Sequence, residues 1–394
     1  MIHTKYDKLL PVLAQAFRLE EQQIRDAVLR SHAGIEKANL ARLKAVFAKA
    51  ARGEKITVAG LGGSITQGAA AKTPKNDPAY TEALGGEACW FNRTVSWFRE
   101  TFPQAQVEGI NAGIGATPSF LGTFRLDRMV LQHKPDLVFV EFSVNDPSTF
   151  PNLLEGEIFQ AYESVVRKIL EAGVAVVQLF MNDQHGIGMQ KFHRPVAEHY
   201  GVPCISYHNA ISPELQYICD WELLSPDDIH PNNAGHALVA TCVCSYLDRV
   251  LADPKEEAAN AVPDTWLYGD AFCRTGAIYA DELEKNATGK LVFHTDTKDC
   301  AKWFGTLVSE GGGQTEVIVP AGAKRVWVQY YYQNGSFDVS FNGLQTSCNT
   351  APIGWPRPMW FRVYTGAALE KDTKLTITTH ERDHAIIMGV LIAY

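Results

Sequence analysis

The segment KITVAGLGGSITQG (55–68) decides the fold of this chain. Its first half is a short run of β-forming residues, and its second half is rich in glycine, with Ser64 just after the run ends. Small residues let a chain turn sharply at the end of a strand and leave one side chain exposed there. The segment lacks the third glycine of a dinucleotide-binding loop, the Gly-Lys-Ser/Thr of a phosphate loop and the second glycine of a G-x-S-x-G elbow. It therefore predicts a serine presented where a strand turns into a helix.

Four further apolar runs continue the pattern, and segments with helical spacing lie between them. The runs are VEGI (107–110), DLVFVEF (136–142), VAVVQLF (174–180) and PCISY (203–207). The helical segments are 90–102, 121–132, 155–172, 188–200 and 234–251. Strands that alternate with helices predict a parallel sheet covered on both faces.

Outside the alternating region the pattern of the chain changes. Residues 1–52 are predicted to be an N-terminal helical extension, with one or two long helices over 11–52. The segment PKEEAANAVP (254–263) is charged and bounded by prolines, which is typical of a linker. From 264 to 394, strand-like runs separated by Gly, Asn, Asp and Pro predict an all-β sandwich domain. The alternating α/β domain then spans 53–253.

The composition excludes several classes of function. The chain has 394 residues, and its 36 Lys and Arg against 44 Asp and Glu give a net charge of −8. Such a chain has no global field that attracts nucleic acid or an anionic membrane, so neither is expected as a partner. The first residues, MIHTKYDKLLPVLAQAFRLEEQQ (1–23), do not have the basic and then apolar pattern of a secretory signal, so none is expected. No apolar run approaches the roughly 20 residues that span a bilayer. Eight cysteines without a CxxC pair predict reduced thiols in a cytoplasmic protein, not a zinc site.

Two loops that follow predicted strands carry small or amide residues. NAGIGATPS (111–119) offers free backbone N–H groups that suit an anion, or it is simply a turn that needs positive φ. EFSVNDP (141–147) places Asn145 at the carboxyl end of a buried strand, where open α/β sheets bind ligands. The alternative for Asn145 is a local cap before the proline.

A fourth loop, SPDDIHPNNAGH (225–236), leads into the last helix of the α/β domain. Asp227 and His230 are three residues apart, a spacing that can bring the carboxylate beside the imidazole and fix its tautomer. The alternative is an Asp that caps a turn beside a surface His. His236 is expected to be a helix residue without a catalytic role.

The four loops, in chain order GGSIT, NAGIGAT, SVND and DDIHPN, resemble the conserved blocks of the SGNH (GDSL-type) hydrolase superfamily. The resemblance covers about residues 55–250. It implies a flavodoxin-like three-layer α/β/α domain that hydrolyses esters without a metal or cofactor. Gly63 departs from the superfamily, which usually has Asp before the nucleophile.

The resemblance also implies roles for individual residues. Ser64 is the expected nucleophile, His230 its general base, and Asp227 the carboxylate that orients the imidazole. Asp228 is a rival carboxylate, but only Asp227 has the three-residue spacing.

The expected oxyanion hole combines main-chain and side-chain donors. It consists of the backbone N–H groups of Ser64 and Gly115 and the side-chain amide of Asn145. Ala116 is the alternative to Gly115, because the glycine loop cannot be aligned at single-residue level.

A hydrolase domain followed by a β-sandwich resembles two-domain carbohydrate esterases, including bacterial acetyl-mannan esterases. This implies an acetylated oligosaccharide as substrate, small enough to be imported if the enzyme is cytoplasmic. Four tryptophans are candidate substrate contacts, with packing inside the protein as the alternative. They are Trp355 and Trp360 in the predicted loop IGWPRPMWF (353–361), and Trp90 and Trp221 near the catalytic segments.

Two other functions stay open at this point. A lipid or thioester acylhydrolase of the same superfamily would need a long apolar acyl channel. A non-catalytic sugar-binding protein with a degenerate hydrolase domain would bind oligosaccharide without turnover. The N-terminal helices either cover the edge of the sheet or make a subunit contact, so a homo-oligomer is also open.

Overall fold

A computed structural model of the chain describes residues 5–71, 89–147, 153–154, 156–212, 220–295, 303–332, 335–349, 356–382 and 384–394. The chain divides into two compact units. The first comprises Met1–Gly122, Leu126–Ser148 and Tyr162–Tyr268, and the second comprises Thr123–Arg125, Thr149–Ala161 and Gly269–Tyr394.

The first unit contains a sheet of five parallel strands in the order β2-β1-β3-β4-β5. This is the strand order of flavodoxin-like folds, and it places the loops after β1 and β3 side by side at the carboxyl edge. The predicted fold class of this region is confirmed. The strands are β1 (Ile56–Gly62), β2 (Val107–Gly113), β3 (Leu137–Glu141), β4 (Ala175–Phe180) and β5 (Cys204–Ser206).

Helices cover both faces of this sheet. Successive strand residues point to opposite sides, so each strand supplies apolar side chains to both faces. In β1, Ile56 and Val58 join one buried apolar cluster, and Ala59 and Leu61 join the other. The helices after β1 are α4 (Ser64–Gln67), α5 (Trp90–Thr101), α6 (Ser119–Met129), α7 (Glu157–Glu171), α8 (Gln190–Tyr200), α9 (Tyr207–Ile211) and α10 (Asn233–Ala252).

The described part of the N-terminal segment forms three short α-helices instead of the one or two long helices predicted. They are α1 (Leu10–Phe17), α2 (Glu21–Ser31) and α3 (Ala41–Ala51). Arg18 ends α1 in the left-handed region at φ 56°, and Gly34 has φ 97° between α2 and α3. Their apolar faces join the core of the first unit, where Phe47 of α3 packs against Trp97 of α5 with ring centroids 5.8 Å apart.

The second unit is an antiparallel all-β domain, as predicted. Seven strands follow one another in the order β11-β10-β13-β8-β14-β9-β12, while β6 pairs with β14 and β7 with β8. The strands are β6 (Thr275–Tyr279), β7 (Thr288–His294), β8 (Thr306–Val319), β9 (Arg325–Tyr331), β10 (Ser336–Phe341), β11 (Leu344–Asn349), β12 (Pro358–Thr365), β13 (Thr373–Thr379) and β14 (Ile386–Ala393). A short helix, α11 (Ala280–Leu283), follows β6. Alternate strand residues such as Val326 and Val328 fill a third apolar cluster.

Six cysteines in the described part of the chain are free thiols, and all of them except Cys273 are buried. Among the described residues, no helix has the length and apolar character needed to cross a membrane.

Candidate active site

Ser64 lies at the carboxyl end of β1, where the strand turns into the short helix α4. The glycines around it allow an unusually close approach of neighbouring segments. A Cβ atom on Gly113, the last residue of β2, would lie 2.2 Å from the backbone nitrogen of Gln67. Only glycine therefore lets the end of β2 lie directly against α4. Ser64 is largely buried, with 9% of the residue exposed.

The structure brings Ser64, His230 and Asp227 into one hydrogen-bonded chain. His230 Nε2 lies 2.8 Å from Ser64 Oγ, and His230 Nδ1 lies 2.8 Å from Asp227 Oδ2. If Nδ1 carries the proton that Asp227 accepts, Nε2 is left as an acceptor for the Ser64 hydroxyl. This arrangement can take a proton from Ser64 as its oxygen attacks an electrophile.

The loop that carries His230 is fixed by its own hydrogen bonds. Asp227 Oδ1 accepts the backbone N–H groups of Ile229 at 2.8 Å and of His230 at 2.7 Å. Burial opposes ionisation of this carboxyl, but the hydrogen bonds from His230 and Ile229 outweigh it and lower the pKa of Asp227. Asp227 therefore orients both the backbone and the ring of His230. The three-residue spacing predicts only the contact with the ring.

Asp228 and His236 do not take part in the hydrogen-bonded chain formed by Asp227, His230 and Ser64. Asp228, the rival carboxylate, is exposed, and its backbone carbonyl accepts the N–H of Gln184 at 2.7 Å. His236 lies inside α10 and is fully buried, with Nε2 3.1 Å from the carbonyl of Ala69. Burial lowers the pKa of His236 to about 4, so the ring is neutral near pH 7. His236 is a packed helix residue.

The side chain of Asn145 lies against the backbone of Gly63. A Cβ atom on Gly63 would be 1.9 Å from Asn145 Oδ1, so no residue with a side chain fits at position 63 with Asn145 in this conformation. The glycine that stands in place of the usual Asp is thus matched to the position of the Asn145 amide. Within the described residues, buried Asn145 Oδ1 has no hydrogen-bond partner.

The glycine loop approaches Ser64, but the backbone N–H of Gly115, its predicted oxyanion donor, already donates a hydrogen bond to another residue. A Cβ on Gly115 would lie 3.7 Å from Ser64 Cβ, so this residue lines the site. Its backbone N–H donates to Gln67 Oε1 at 2.6 Å. The neighbouring Ala116 has φ 55°, a left-handed conformation that is uncommon for a residue with a side chain. Gln67 was not predicted, because a glutamine at the end of a short helix carries no sequence signal of this contact.

The four candidate tryptophans differ in their positions. Trp90 begins α5 and is fully buried against Phe139, with ring centroids 5.8 Å apart, so its predicted substrate contact is corrected to a core position. Trp221 is half-buried beside the catalytic loop, and its Nε1 donates to the Asp227 carbonyl at 2.6 Å. Trp355 lies outside the described residues.

Trp360 also requires a correction, because it lies in a strand and not in the predicted loop. Its side chain is fully buried in β12, opposite Gln329 of β9. Pro358 begins this strand, and among the described strands β12 pairs only with β9, at the end of the sheet. An edge strand tolerates proline at its first residue, so the prolines do not keep the segment out of the sheet.

No group of three or more His, Cys, Asp or Glu within the described ranges could hold a metal ion.

Comparisons with known proteins agree with the four-loop pattern. Residues 61–238 match the model of the GDSL-like Lipase/Acylhydrolase family. No curated protein matches the chain. The resemblance to SGNH (GDSL-type) hydrolases predicted from the loops is confirmed.

Similar solved structures extend the likeness beyond the α/β unit. A crystal structure described as a two-domain esterase (CEX) active on acetylated mannans is 28% identical, with a TM-score of 0.74 over 90% of this chain and 96% of that chain. The same esterase co-crystallized with mannopentaose is 29% identical, with a TM-score of 0.72 over 90% and 95%. An acetyl xylan esterase, AlAXEase, is 20% identical over 48% of this chain and 98% of that chain, with a TM-score of 0.38.

Proposed function

We propose that this chain, a hydrolase of the GDSL-like lipase/acylhydrolase family over residues 61–238, is a serine esterase that removes acetyl groups from acetylated oligosaccharides. The observation that carries the proposal is the hydrogen-bonded chain from Ser64 through His230 to Asp227. Similarity over 90% of the chain to an esterase active on acetylated mannans supports a sugar ester as the substrate. Mannan-derived oligosaccharides are therefore the first substrates to test.

In the first half of the reaction, Ser64 Oγ attacks the carbonyl carbon of the acetyl group while His230 Nε2 takes the hydroxyl proton. The tetrahedral intermediate then collapses. The bond to the sugar oxygen breaks, and His230 returns its proton to that oxygen, which leaves as the sugar hydroxyl. Asp227 keeps the ring oriented and stabilises its cationic form during both steps.

In the second half, water attacks the acetyl-Ser64 ester, and His230 again serves as base and then as acid. Acetate leaves, and Ser64 regains its hydroxyl proton. The negative charge on the carbonyl oxygen is held by the backbone N–H of Ser64, the side-chain amide of Asn145 and a backbone N–H of the glycine loop. Gly115 supplies that last donor in our proposal, so the Gln67 amide must leave it when substrate binds.

The substrate class is tested by measuring acetate release from a panel of acetylated oligosaccharides with mannan, xylan and cellulose backbones. We expect the acetylated manno-oligosaccharide to have the highest kcat/KM. The same oligosaccharides without acetyl groups are the control for free acetate present in the substrate preparations. Equal kcat/KM on all backbones would contradict the proposed preference for mannan-derived substrates, although the protein would still be an acetyl esterase.

The family name also covers lipases and acylhydrolases, so acyl chain length discriminates the main alternative. Chromogenic esters from acetate to decanoate separate the two functions. An acetyl esterase loses activity steeply beyond the shortest chains, whereas a lipid or thioester acylhydrolase prefers long ones. Oligosaccharide binding without hydrolysis of any ester would support the non-catalytic sugar-binding function instead.

A further inference from the structure

Glu141 is a fully buried carboxyl group packed against the turn that presents Ser64. It is the last residue of β3 and the register partner of Gly62 in β1. Its Oε2 accepts a hydrogen bond from Thr66 Oγ1 at 2.8 Å, and its backbone carbonyl accepts the N–H of Gly63 at 3.3 Å. Glu141 therefore holds the chain on both sides of Ser64.

The packing of Glu141 against the turn leaves no room for a side chain at Gly62. A Cβ on Gly62 would lie 2.3 Å from Thr66 Oγ1 and 2.6 Å from the Glu141 carbonyl oxygen. The Thr66 carbonyl in turn accepts Asn111 Nδ2 at 2.8 Å. Thr66 thus connects the carboxyl group under the nucleophile to β2, which leads into the glycine loop.

The surroundings of this carboxyl group disfavour its negative charge. Within the described residues, Glu141 Oε1 has no hydrogen-bond partner, and no Lys or Arg pairs with the group. The elements packed against it bring uncharged Thr66 from α4, the Asp146 carboxylate from the loop after β3, and Tyr162 from α7. Asp146 is itself hydrogen-bonded to His193 Nε2 at 3.0 Å.

Burial raises the pKa of the Glu141 carboxyl to about 8, although the hydrogen bonds from Thr66 and Gly63 lower it in part. Nearby Asp146 raises this pKa further, because two negative charges in one buried site repel each other. Glu141 is thus mostly neutral at pH 7.

We infer that Glu141 is a positioning residue for the ester hydrolysis proposed above, on which this inference rests. As a neutral acid it fixes the Ser64 turn through Thr66 and Gly63 and adds no negative charge where the oxyanion forms. Once ionised, it places a buried charge beside that oxyanion, and like charges at low dielectric repel strongly. The ionised enzyme therefore turns over more slowly, while substrate binding to the outer part of the site changes little.

The test compares kcat and KM against pH for wild type, Glu141→Gln and Glu163→Gln. Glutamine keeps an acceptor for Thr66 and cannot ionise. Glu163 is the matched control: it is also fully buried in the first unit, but its carboxylate accepts the Tyr200 hydroxyl at 2.8 Å and two backbone N–H groups, of Leu267 and Tyr268.

We expect kcat of wild type and of Glu163→Gln to fall about tenfold between about pH 8.5 and about pH 9.5, as one ionisation requires. Glu141→Gln is expected to stay flat over that range, with KM unchanged in all three proteins. An alkaline fall shared by Glu141→Gln, or no fall in wild type, would overturn the inference. Circular dichroism at each pH separates loss of activity from unfolding.

A second variant keeps the inference testable if Glu141→Gln does not fold. Thr66→Val removes the donor that lowers the pKa of Glu141, so the alkaline fall in kcat should move to higher pH. An unmoved fall would contradict the inference. These outcomes differ from failure of the proposed function, which would appear as full activity in Ser64→Ala at every pH.

Discussion

The amide of Asn145 occupies the space that a side chain at Gly63 would need, with Asn145 Oδ1 1.9 Å from the position of a Cβ. The two residues follow different strands, β1 and β3, which are neighbours in the sheet. With Asn145 in this conformation, position 63 therefore has no room for a side chain.

The first prediction concerns this pair. Gly63→Ala should displace the Asn145 amide and lower kcat by about 10²–10³, the usual cost of one oxyanion donor. Asn145→Ala should cost a similar factor, and the double variant should cost no more than Asn145→Ala alone, because both changes remove the same interaction. Hydrolysis of a chromogenic acetate measures all three.

The control for this prediction is Gly276→Ala, where an added Cβ meets nothing nearer than 3.6 Å. It should keep the wild-type rate. If Gly63→Ala were as active as wild type, the Asn145 amide would not be the donor that Gly63 makes room for.

The second prediction distinguishes the two adjacent carboxylates. Asp227→Asn should lower kcat by about 10⁴, because the amide no longer holds the imidazole in the required tautomer. Asp228→Asn should leave kcat unchanged, since His230 is hydrogen-bonded to Asp227 instead. Equal losses in the two variants would show that the hydrogen bond seen in the free enzyme is not the one used in turnover.

The third prediction concerns the donor of the glycine loop. Gln67 Oε1 holds the Gly115 N–H at 2.6 Å and competes with a substrate carbonyl for it. Gln67→Ala should therefore raise kcat/KM on the acetate ester by about fivefold, which corresponds to roughly one hydrogen bond of about 1 kcal/mol. A tenfold loss instead would mean that Gln67 supports the site and does not compete with the substrate for the Gly115 N–H.

The fourth prediction concerns stability in acid. Burial lowers the pKa of both His32 and His236 to about 4, from 6.5 in the unfolded chain. Between these two values the unfolded state binds more protons than the folded state, so the free energy of unfolding falls as the pH drops from about 6.5 to about 4. His236→Gln should reduce that slope by about one proton, as urea unfolding at several pH values would measure. An unchanged slope would contradict a buried neutral His236.

The sequence was sufficient to predict the elements whose residues interact locally. Each strand and helix predicted from periodicity in the α/β region corresponds to an element of the structure. The strand predicted at VEGI (107–110) is three residues longer and ends at Gly113. The spacing of Asp227 and His230 was enough to anticipate their contact, because both lie in one loop.

Contacts between distant segments could not be predicted in the same way. The engagement of Gly115 by Gln67 and the packing of Asn145 against Gly63 depend on how two βα loops meet, which no local pattern encodes. Trp360 is predicted in a loop but lies in β12, because the edge position of this strand tolerates the proline that begins it.

The central claim is that Ser64 is the nucleophile of an acetyl esterase that acts on sugars. The most direct measurement is acetate released from an acetylated manno-oligosaccharide by wild type and by Ser64→Ala, with folding of both checked by circular dichroism. We predict steady release by wild type and no release above the spontaneous rate by Ser64→Ala. Equal release by the two proteins, or none by wild type, would contradict the account.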